Sequence, residues 1–401
     1  MKILFLTITN IKSIKNKSIY TDLLRYFVDC NHEVFIISPV ERKYKTATKI
    51  VQSNNTKILR VKIGNYQKTN IIEKGLTLLR IDYLFLKAFK KYFTNYNFDL
   101  VIYSTPPISF VKTLRYLKET KNIETYLLLK DIFPQNAVDL KMLSKTNPLY
   151  WLFRKKEKKL YKISDYIGCM SEANVDFILK ENPEVHPAIV EVCPNSIDPV
   201  SINVSKIDKE KIKIKYNIPE TSTIFIYGGN LGKPQGIDFV IECVKKCSEL
   251  RNAYFLIVGS GTEFNKLKLF YDKEKPANSQ LLSQLPKEDY QLLANSCDVG
   301  LIFLDHRFTI PNFPSRLLSY MQASIPVLAA TDPNTDIGKI IEDGNFGYWC
   351  ESNNSQAFYD LVVKLCDKDL REQMGRNARK YLENNYTVKH SYDVIMKHFQ
   401  N

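Results

Sequence analysis

The sequence predicts an α/β fold made of two doubly wound domains, each built around a mostly parallel β-sheet. The chain has 401 residues, which is too long for one ordinary core and suggests two domains of roughly 200 residues. Short apolar runs alternate with helical patterns along the chain, which is typical of βαβ units. Residues 199–220 are polar, lysine-rich and weakly periodic, and the alternation restarts after them. We therefore expect one domain over residues 1–200 and another over residues 201–385.

The first half carries a series of short apolar runs, each read as a buried strand. These strands are predicted at residues 3–8, 32–38, 60–63, 98–104, 124–129, 166–170 and 190–193. Helical patterns lie between them, at residues 18–29, 71–92, before 121, 151–162 and 172–180. In the second of these helices the apolar residues Leu76, Leu79, Tyr83, Leu86 and Phe89 recur at helical spacing. Residues 41–56 are polar and basic, which predicts a loop.

The second half repeats this alternation. Strands are predicted at residues 223–227, 253–258, 299–304, 325–330 and 346–350, and closing helices at residues 355–365, 368–383 and 389–399. A further helix is expected from Arg316 to Met321, with Ser315 as its N-cap because a hydroxyl there can accept an early helical N–H. The loop before it, residues 305–314, contains Pro311 and Pro314.

Charge and cysteine content narrow the classes of protein that fit. Residues 1–200 hold 32 Lys and Arg against 19 Asp and Glu, a net +13, whereas residues 201–401 hold 25 against 24. A basic surface on one half only implies an anionic partner for that half. The eight cysteines include no C-x-x-C pair and no metal-ligand spacing, so we expect reduced thiols and no metal site. The apolar start of the chain lacks a cleavage site, and no apolar run is long enough to span a membrane, so we expect a cytoplasmic protein.

Three strand ends in the second half present glycines or a helix start to the same sheet edge. They are residues 228–236 (GGNLGKPQG), residues 259–263 (GSGTE) and residues 305–316. Glycines let the backbone approach a ligand closely, Lys233 adds a positive charge, and free N–H groups suit phosphate. None of these turns is a P-loop or a G-x-G-x-x-G fingerprint. Because the carboxyl ends of parallel strands meet at one edge, the three together predict a nucleotide diphosphate site.

Several stretches together resemble retaining glycosyltransferases of family 4. They are residues 32–34 (HEV), 130–134 (KDIFP), 194–198 (PNSID), 228–236, 257–261 (IVGSG) and 313–321 (FPSRLLSYM). These enzymes have the GT-B fold and assemble bacterial surface polysaccharides. The resemblance covers nearly the whole chain in the same order, and it is closest to an amino-sugar transferase branch.

The resemblance implies two Rossmann-like domains facing a central cleft, with a last helix, about residues 386–401, returning to the first domain. The second domain would bind a UDP-sugar, and the first a lipid-pyrophosphate-linked acceptor. No cofactor other than this donor is implied, and no metal. The donor contacts would come from the glycine turns and the helix start: Gly229, Asn230, Lys233, Gly259, Ser260, Gly261, Ser315, Arg316, Leu317 and Ser319. The catalytic residues would be Asp131, Lys233 and Arg316.

The chain departs from the family pattern at several of these positions. Pro311 and Ser319 stand where many members carry two glutamates, and Asn230 and Gln235 stand where an Arg and a Lys are usual. Lys130 replaces the histidine of a His-Asp pair, which leaves Asp131 to orient the acceptor or to stabilise charge on the sugar. Residues 10–17 replace a glycine pair after the first strand.

Two other functions remain as alternatives. A non-transferring UDP-sugar epimerase shares this fold but needs His and carboxylate groups in the cleft, and the chain has only five histidines. A nucleic-acid-binding protein is suggested by charge alone, without a supporting motif, so we expect no nucleic acid partner. Basic side chains and aromatic rings on helices 80–91 and 151–162, including Phe85, Phe89, Trp151 and Phe153, instead predict contact with an anionic membrane at the inner face of the plasma membrane.

Overall fold

Two parallel sheets organise the chain, one in each of two units. The computed structural model describes residues 1–53, 55–67, 69–200 and 206–399. Unit 1 consists of Met1–Asp198 and Val388–Asn401, and unit 2 of Pro199–Thr387. Residues 201–205 of the expected linker and the last two residues of the expected crossover helix lie outside the described residues.

Unit 1 contains eight strands among its described residues. They are β1 (Lys2–Leu6), β2 (Glu33–Glu41), β3 (Lys49–Ser53), β4 (Thr56–Ile63), β5 (Leu100–Ser104), β6 (Glu124–Leu128), β7 (Tyr166–Cys169) and β8 (Val190–Val192). Their order is β3-β4-β2-β1-β5-β6-β7-β8, and every neighbouring pair is parallel except β3 with β4. The helices are α1 (Ile19–Asp29), α2 (Ile71–Tyr92), α3 (Val111–Lys121), α4 (Gln135–Asp139), α5 (Pro148–Ile163) and α6 (Glu172–Glu181). Strands such as β5 are buried along their whole length, as expected for a sheet covered on both faces.

Unit 2 contains a six-stranded, fully parallel sheet among its described residues. Its strands are β9 (Thr223–Asn230), β10 (Ala253–Ser260), β11 (Ser279–Ser283), β12 (Val299–Phe303), β13 (Val327–Thr331) and β14 (Gly347–Glu351), in the order β11-β10-β9-β12-β13-β14. The helices are α7 (Lys206–Lys215), α8 (Ile237–Lys246), α9 (Phe264–Glu274), α10 (Lys287–Ser296), α11 (Arg316–Gln322), α12 (Ile337–Asp343), α13 (Ser355–Lys364) and α14 (Lys368–Asn385).

The strand order fixes where each unit can bind a ligand. In unit 2 the chain runs outward from β9 through β10 to β11, then crosses back to β12 and continues to β14 on the other side. In unit 1 the same reversal lies between β1 and β5. In open α/β sheets ligands bind outside the carboxyl ends of the strands at such a switch point. The candidate ligand sites are therefore the loops after β9 and β12 in unit 2, and those after β1, β5 and β6 in unit 1.

The last helix, α15 (Val388–Met396), packs on α1 within unit 1. Tyr392 hydrogen-bonds His32 across 2.9 Å from its hydroxyl to Nε2, and the Ser391 hydroxyl donates to the Pro194 carbonyl. Just beyond the helix, Lys397 lies 2.5 Å from Glu191. These contacts attach the end of the chain to unit 1.

The structure corrects the sequence prediction in two polar stretches. Residues 41–56 are not a loop throughout, because β3 lies there and pairs with β4. All but one of the β3 residues are exposed, so the strand has no apolar pattern by which the sequence could indicate it. Residues 199–220 are not simply a linker, since α7 occupies ten of them. The prediction also missed α4, α12, and the neighbouring β11 and α10, whose residues are mostly half-buried or exposed.

All eight cysteines are free thiols, and six of them are buried. No helix in the described part of the chain is both long and apolar enough to cross a bilayer.

Candidate active site

The turn after β9 and the loop after β12 meet at the switch point of unit 2. Residues Lys233–Gln235 form one 3₁₀ turn, which Gly236 ends with φ +58°. A Cβ on Gly236 would lie 3.3 Å from Cα of Asp305, and the Asp305 amide donates to the carbonyl of Pro234 across 2.9 Å. A residue with a side chain would be strained at this φ and crowded against the loop. Gly236 therefore allows the two segments to pack directly together.

Three more glycines of this region are required by close packing. A Cβ on Gly259 would lie 1.9 Å from the Gly229 carbonyl oxygen, and one on Gly261 would lie 2.2 Å from that of Leu231. A Cβ on Gly228 would overlap the ring of Tyr290. Gly259 and Gly261 therefore bring the ends of β9 and β10 together.

A pocket of about 430 Å³ opens at the carboxyl ends of β9, β10 and β11. Four of the predicted donor residues, Gly229, Asn230, Gly259 and Ser260, line it. Its remaining lining residues are Gly228, Val258, Gln284, Leu285, Lys287 and Tyr290. Flat backbone surfaces, one aromatic ring and a few polar groups suit a planar heterocycle with hydrogen-bonding edges.

Arg316 is a cation held at the end of β9. Its guanidinium carbon lies 4.3 Å from the centre of the Tyr227 ring, and its Nη2 would lie 3.2 Å from a Cβ on Gly229. Its Nη1 is shielded from solvent and has no hydrogen-bond acceptor among the described residues. A shielded polar group without a partner is costly unless a ligand supplies one. The geometry fits an anion bound beside Gly229.

The open donors around Arg316 agree only in part with the prediction. The amides of Ser315 and Arg316 donate to no described residue, and the exposed ammonium of Lys233 has no hydrogen bond or ion pair with one. The Leu317 amide, in contrast, donates to the Pro314 carbonyl across 3.1 Å. The expected N-cap bond is wrong, because the Ser315 side chain accepts no helical N–H and its own backbone is already helical.

Asn230 and Gln235, at the positions where the family has an Arg and a Lys, bind each other. The Asn230 amide donates to Gln235 Oε1 across 2.9 Å, and the same oxygen accepts the Gly232 N–H. They thus brace the turn without adding charge. Ser319 is exposed on α11, one turn beyond Ser315, whereas Pro311 is buried.

The loop of residues 305–315 is fixed by a turn that follows β13. The Asn334 side chain donates to the Phe308 carbonyl across 2.6 Å, and the Thr335 hydroxyl donates to the Asn312 carbonyl across 2.7 Å. The fully buried Asp332 holds this turn, because its Oδ1 accepts the N–H groups of both residues. Burial raises the pKa of Asp332 to about 6.

Charged side chains in the same loop are already engaged. Arg307 donates twice to the buried Asp305, with Nη2 2.5 Å from Oδ2 and Nε 2.8 Å from Oδ1. His306 is exposed and lies 3.8 Å from Asp305. In the described part of the chain no group of three or more His, Cys, Asp and Glu side chains is placed to hold a metal ion.

Asp131 follows β6 at the carboxyl edge of unit 1. Its Oδ1 accepts from the Asn136 side chain across 2.8 Å, and its backbone N–H donates to the Thr105 hydroxyl, just after β5. Burial raises the pKa of Asp131 to about 6, although the Asn136 hydrogen bond opposes this. Burial also lowers the pKa of Lys130 to about 8, and its ammonium donates to the Cys193 carbonyl. Asp131 can therefore change charge near neutral pH.

The sequence prediction missed Gln284, Leu285 and Tyr290 in the pocket, and Asn334 and Thr335 in the turn after β13. The first three follow β11 or lie on α10, the two neighbouring elements it overlooked. A short apolar pair, Leu281 and Leu282, followed by Pro286 before a helix is a signal that was present.

Comparison with known proteins agrees with this geometry. Residues 208–381 match the family model described as glycosyl transferases group 1. A probable glycosyltransferase, WbjE of Pseudomonas aeruginosa, is 25% identical over 328 residues, which cover 81% of this chain and 80% of that protein. The UDP-Gal:alpha-D-GlcNAc-diphosphoundecaprenol alpha-1,3-galactosyltransferase of Escherichia coli is 22% identical over 245 residues, which cover 58% of this chain and 59% of that one.

Among solved structures, HepE of Anabaena in complex with UDP superimposes with a TM-score of 0.71 at 15% identity, covering 100% of this chain and 99% of HepE. The chain therefore has the GT-B fold, and the match to the glycosyl transferases group 1 model lies within its second unit.

Proposed function

We propose that the protein transfers a sugar, with retention of configuration, from a UDP-sugar bound by unit 2 to a lipid-linked saccharide bound by unit 1. The observation that carries this proposal is the guanidinium of Arg316 at the switch point of the unit 2 sheet, whose shielded Nη1 has no partner among the described residues. A diphosphate bound there completes the hydrogen bonding of Nη1 and meets the open amides of Ser315 and Arg316. The adjoining pocket takes the nucleobase.

The transfer breaks the bond between the anomeric carbon and the diphosphate, which leaves with the electron pair. The acceptor hydroxyl oxygen bonds to the same carbon and gives its proton to the departing diphosphate. Charge therefore develops on the leaving diphosphate, where fixed donors and cations are most effective. Arg316 and Lys233 supply that positive charge, while Asp131 orients the acceptor or stabilises positive charge on the sugar ring.

The relatives support the choice of substrates. HepE is solved with UDP, and the Escherichia coli relative uses UDP-Gal and a diphosphoundecaprenol-linked GlcNAc. Together with the basic first half of the chain, this favours a UDP-linked donor and a lipid-pyrophosphate acceptor at the inner face of the plasma membrane. We propose an N-acetylated hexosamine or deoxyhexosamine as the sugar and capsule, O-antigen or exopolysaccharide as the product.

The test is a panel of UDP- and GDP-sugars incubated with the full chain, with and without lipid-pyrophosphate-linked saccharides. We expect release of UDP from one UDP-sugar, accelerated by an acceptor, and a product whose anomeric configuration by NMR matches the donor. UDP release with a free epimerised sugar and no acceptor dependence would instead indicate the epimerase. No turnover of any nucleotide sugar with any acceptor would contradict the proposal.

A further inference from the structure

Exposed large apolar side chains cluster on two helices of unit 1. On α2 they are Leu76, Leu79 and Tyr83, and on α5 they are Leu149, Trp151 and Leu152, each between 45% and 62% exposed. We refer to these six side chains as the α2–α5 surface. Monomeric proteins seldom leave large apolar side chains grouped in this way unless the surface has a partner.

These side chains are additional to those that build the core. The buried stripe of α2 consists of Ile81, Phe85, Ala88 and Phe89, so Leu76, Leu79 and Tyr83 form a second, outward stripe on the same helix. The aromatic residues that the sequence suggested for membrane contact are mostly elsewhere: Phe85 and Phe89 are fully buried, and only Trp151 is largely exposed.

The exposed apolar groups of α2 and of α5 lie at the same end of one layer of helices. α3 packs between α2 and α5, and the carboxylate of Asp82 on α2 accepts the amides of Lys112 and Thr113 at the start of α3. Burial lowers the pKa of Lys156 on α5, and the charges of Asp82 and Lys112 also affect this pKa, which places all three close together. Later along both helices, Lys118 of α3 donates to the Ile163 carbonyl at the end of α5, so α3 and α5 run in the same direction.

Leu76 and Leu79 precede Asp82, and Leu149 and Leu152 precede Lys156, each by one or two helical turns. Both groups therefore lie toward the starts of their helices. The start of a helix that follows a parallel strand is at the carboxyl edge of the sheet, and α3 directly follows β5.

The same edge carries Asp131. Phe133, two residues after it, packs on Phe153 of α5 with ring centres 5.0 Å apart. The α4 residue Asn136 donates to the Asp131 carboxylate. The α2–α5 surface therefore borders the segment that carries the proposed acceptor residue.

Cations share the helices and the preceding segment with the apolar side chains, and three carboxylates of α2 and α5 are engaged. Exposed basic residues with no ion pair among the described residues are Lys74, Arg80, Lys87, Lys141, Lys145, Lys155 and Lys159. Glu73 pairs with Arg42, Glu157 pairs with Arg154, and Asp82 caps α3. Exposed leucines and a tryptophan can insert at the boundary between the headgroups and the acyl chains of a bilayer, while lysines on the same helices contact anionic headgroups.

We propose that the α2–α5 surface is where unit 1 docks on an anionic lipid bilayer, which brings the Asp131 edge to a lipid-linked acceptor. The reason for docking rests on the proposed function, but the docking itself does not. Nucleic acid would also bind the lysines, but it would give the exposed leucines no apolar partner.

The test is sedimentation of the full chain with two kinds of vesicle, phosphatidylcholine alone and phosphatidylcholine with about a third phosphatidylglycerol. We expect binding to the anionic vesicles only, weakened by salt. An apolar variant, Leu79→Gln with Trp151→Gln, and a charge variant, Lys155→Gln with Lys159→Gln, should each bind about tenfold more weakly or worse. Leu269→Gln with Ile214→Gln is the matched control, because both residues are at least 70% exposed in unit 2, and it should bind as the unchanged chain does.

Trp151 provides a second readout, since its fluorescence should shift to the blue and be quenched by brominated acyl chains. Equal weakening by the unit 2 control, unchanged binding of the apolar variant, or no binding of the unchanged chain at low salt would each overturn the proposal. Binding of a protein partner in place of vesicles would do so as well. UDP-sugar turnover with a short-chain, water-soluble acceptor is measured in parallel, so that loss of docking and absence of transferase activity are distinguished.

Discussion

Arg316 and Lys233 differ in how much of their role the structure specifies. Arg316 is held against the Tyr227 ring beside Gly229, with one nitrogen that has no acceptor among the described residues. Lys233 is exposed on its 3₁₀ turn and has no hydrogen bond or ion pair with a described residue. The packed guanidinium suits recognition of one phosphate geometry, whereas an exposed ammonium on a long side chain suits charge neutralisation as the leaving group departs.

We therefore expect Arg316→Ala and Lys233→Ala each to reduce turnover roughly ten- to a hundredfold, because a charge-assisted hydrogen bond contributes about 1.5–3 kcal/mol. Steady-state kinetics of UDP release measures this. Lys246→Ala, an exposed lysine at the end of α8, is the control and should retain the normal rate. Normal rates in both site variants would contradict the diphosphate assignment.

The raised pKa of Asp131 leads to a prediction about how the transfer rate depends on pH. Its pKa is raised by burial to about 6, so the carboxylate is protonated below that pH and ionised above it. If the ionised form acts on the substrate, kcat/KM for the acceptor should fall about tenfold per pH unit below 6 and level off above it. Asp131→Asn should be slow and should lose this acidic limb. A variant that kept the limb would show that another group titrates.

At the scale of elements, buried parallel strands were the most predictable feature. Strands such as β12, with every residue buried, are continuous apolar runs that few other structures produce. The sequence did not reveal β3 and α7, because an element that pairs or packs along one side alone keeps a mostly polar sequence. The glycine turns were also visible in the sequence, since close approach excludes every other residue at Gly259 and Gly261.

What the sequence did not reveal depends on contacts between distant segments. Only the folded backbone shows that Arg316 Nη1 has no partner within the described part of the chain and that Asn230 pairs with Gln235. The same is true of the outward stripe of α2. Helical spacing places Leu76 and Phe89 in one apolar series, yet only the packing of α3 shows that one faces outward and the other inward.

The turn after β13 leads to a prediction about the loop of residues 305–315. Thr335→Val removes the hydrogen bond to the Asn312 carbonyl, so the loop should lose part of its fixed position. A neutral hydrogen bond contributes about 1 kcal/mol, and we expect the KM for the donor to rise roughly fivefold with a smaller change in kcat. Thr335→Ser keeps the hydroxyl and should therefore keep both the hydrogen bond and the normal KM. Thr120→Val, which removes a similar hydroxyl bond on α3, should leave the KM unchanged.

The net charge of the whole molecule is unevenly divided between its two halves. The first 200 residues carry nearly all of the net +14, whereas the second half is close to neutral. A donor site needs only a few positioned cations, and in the proposed site these are Arg316 and Lys233, which require no large net charge. Seven of the exposed basic residues of unit 1 lie on α2, on α5 or in the segment before α5, and for contact with a bilayer the number of such cations matters more than their exact positions.

This division leads to a last prediction, about metals. In the proposed donor site, two cationic side chains and the amides of Ser315 and Arg316 supply positive charge and hydrogen bonds to the leaving diphosphate, which is the role a divalent cation takes in other enzymes. We therefore expect turnover of the UDP-sugar to be unchanged by EDTA. The measurement is UDP release before and after chelation, repeated with Lys233→Ala. Added Mg²⁺ or Mn²⁺ should partly restore the rate of that variant, because a metal ion bound to the diphosphate replaces the missing charge. Complete loss of activity of the unchanged chain in EDTA, reversed by Mn²⁺, would show that these side chains are not sufficient and that the donor site requires a metal.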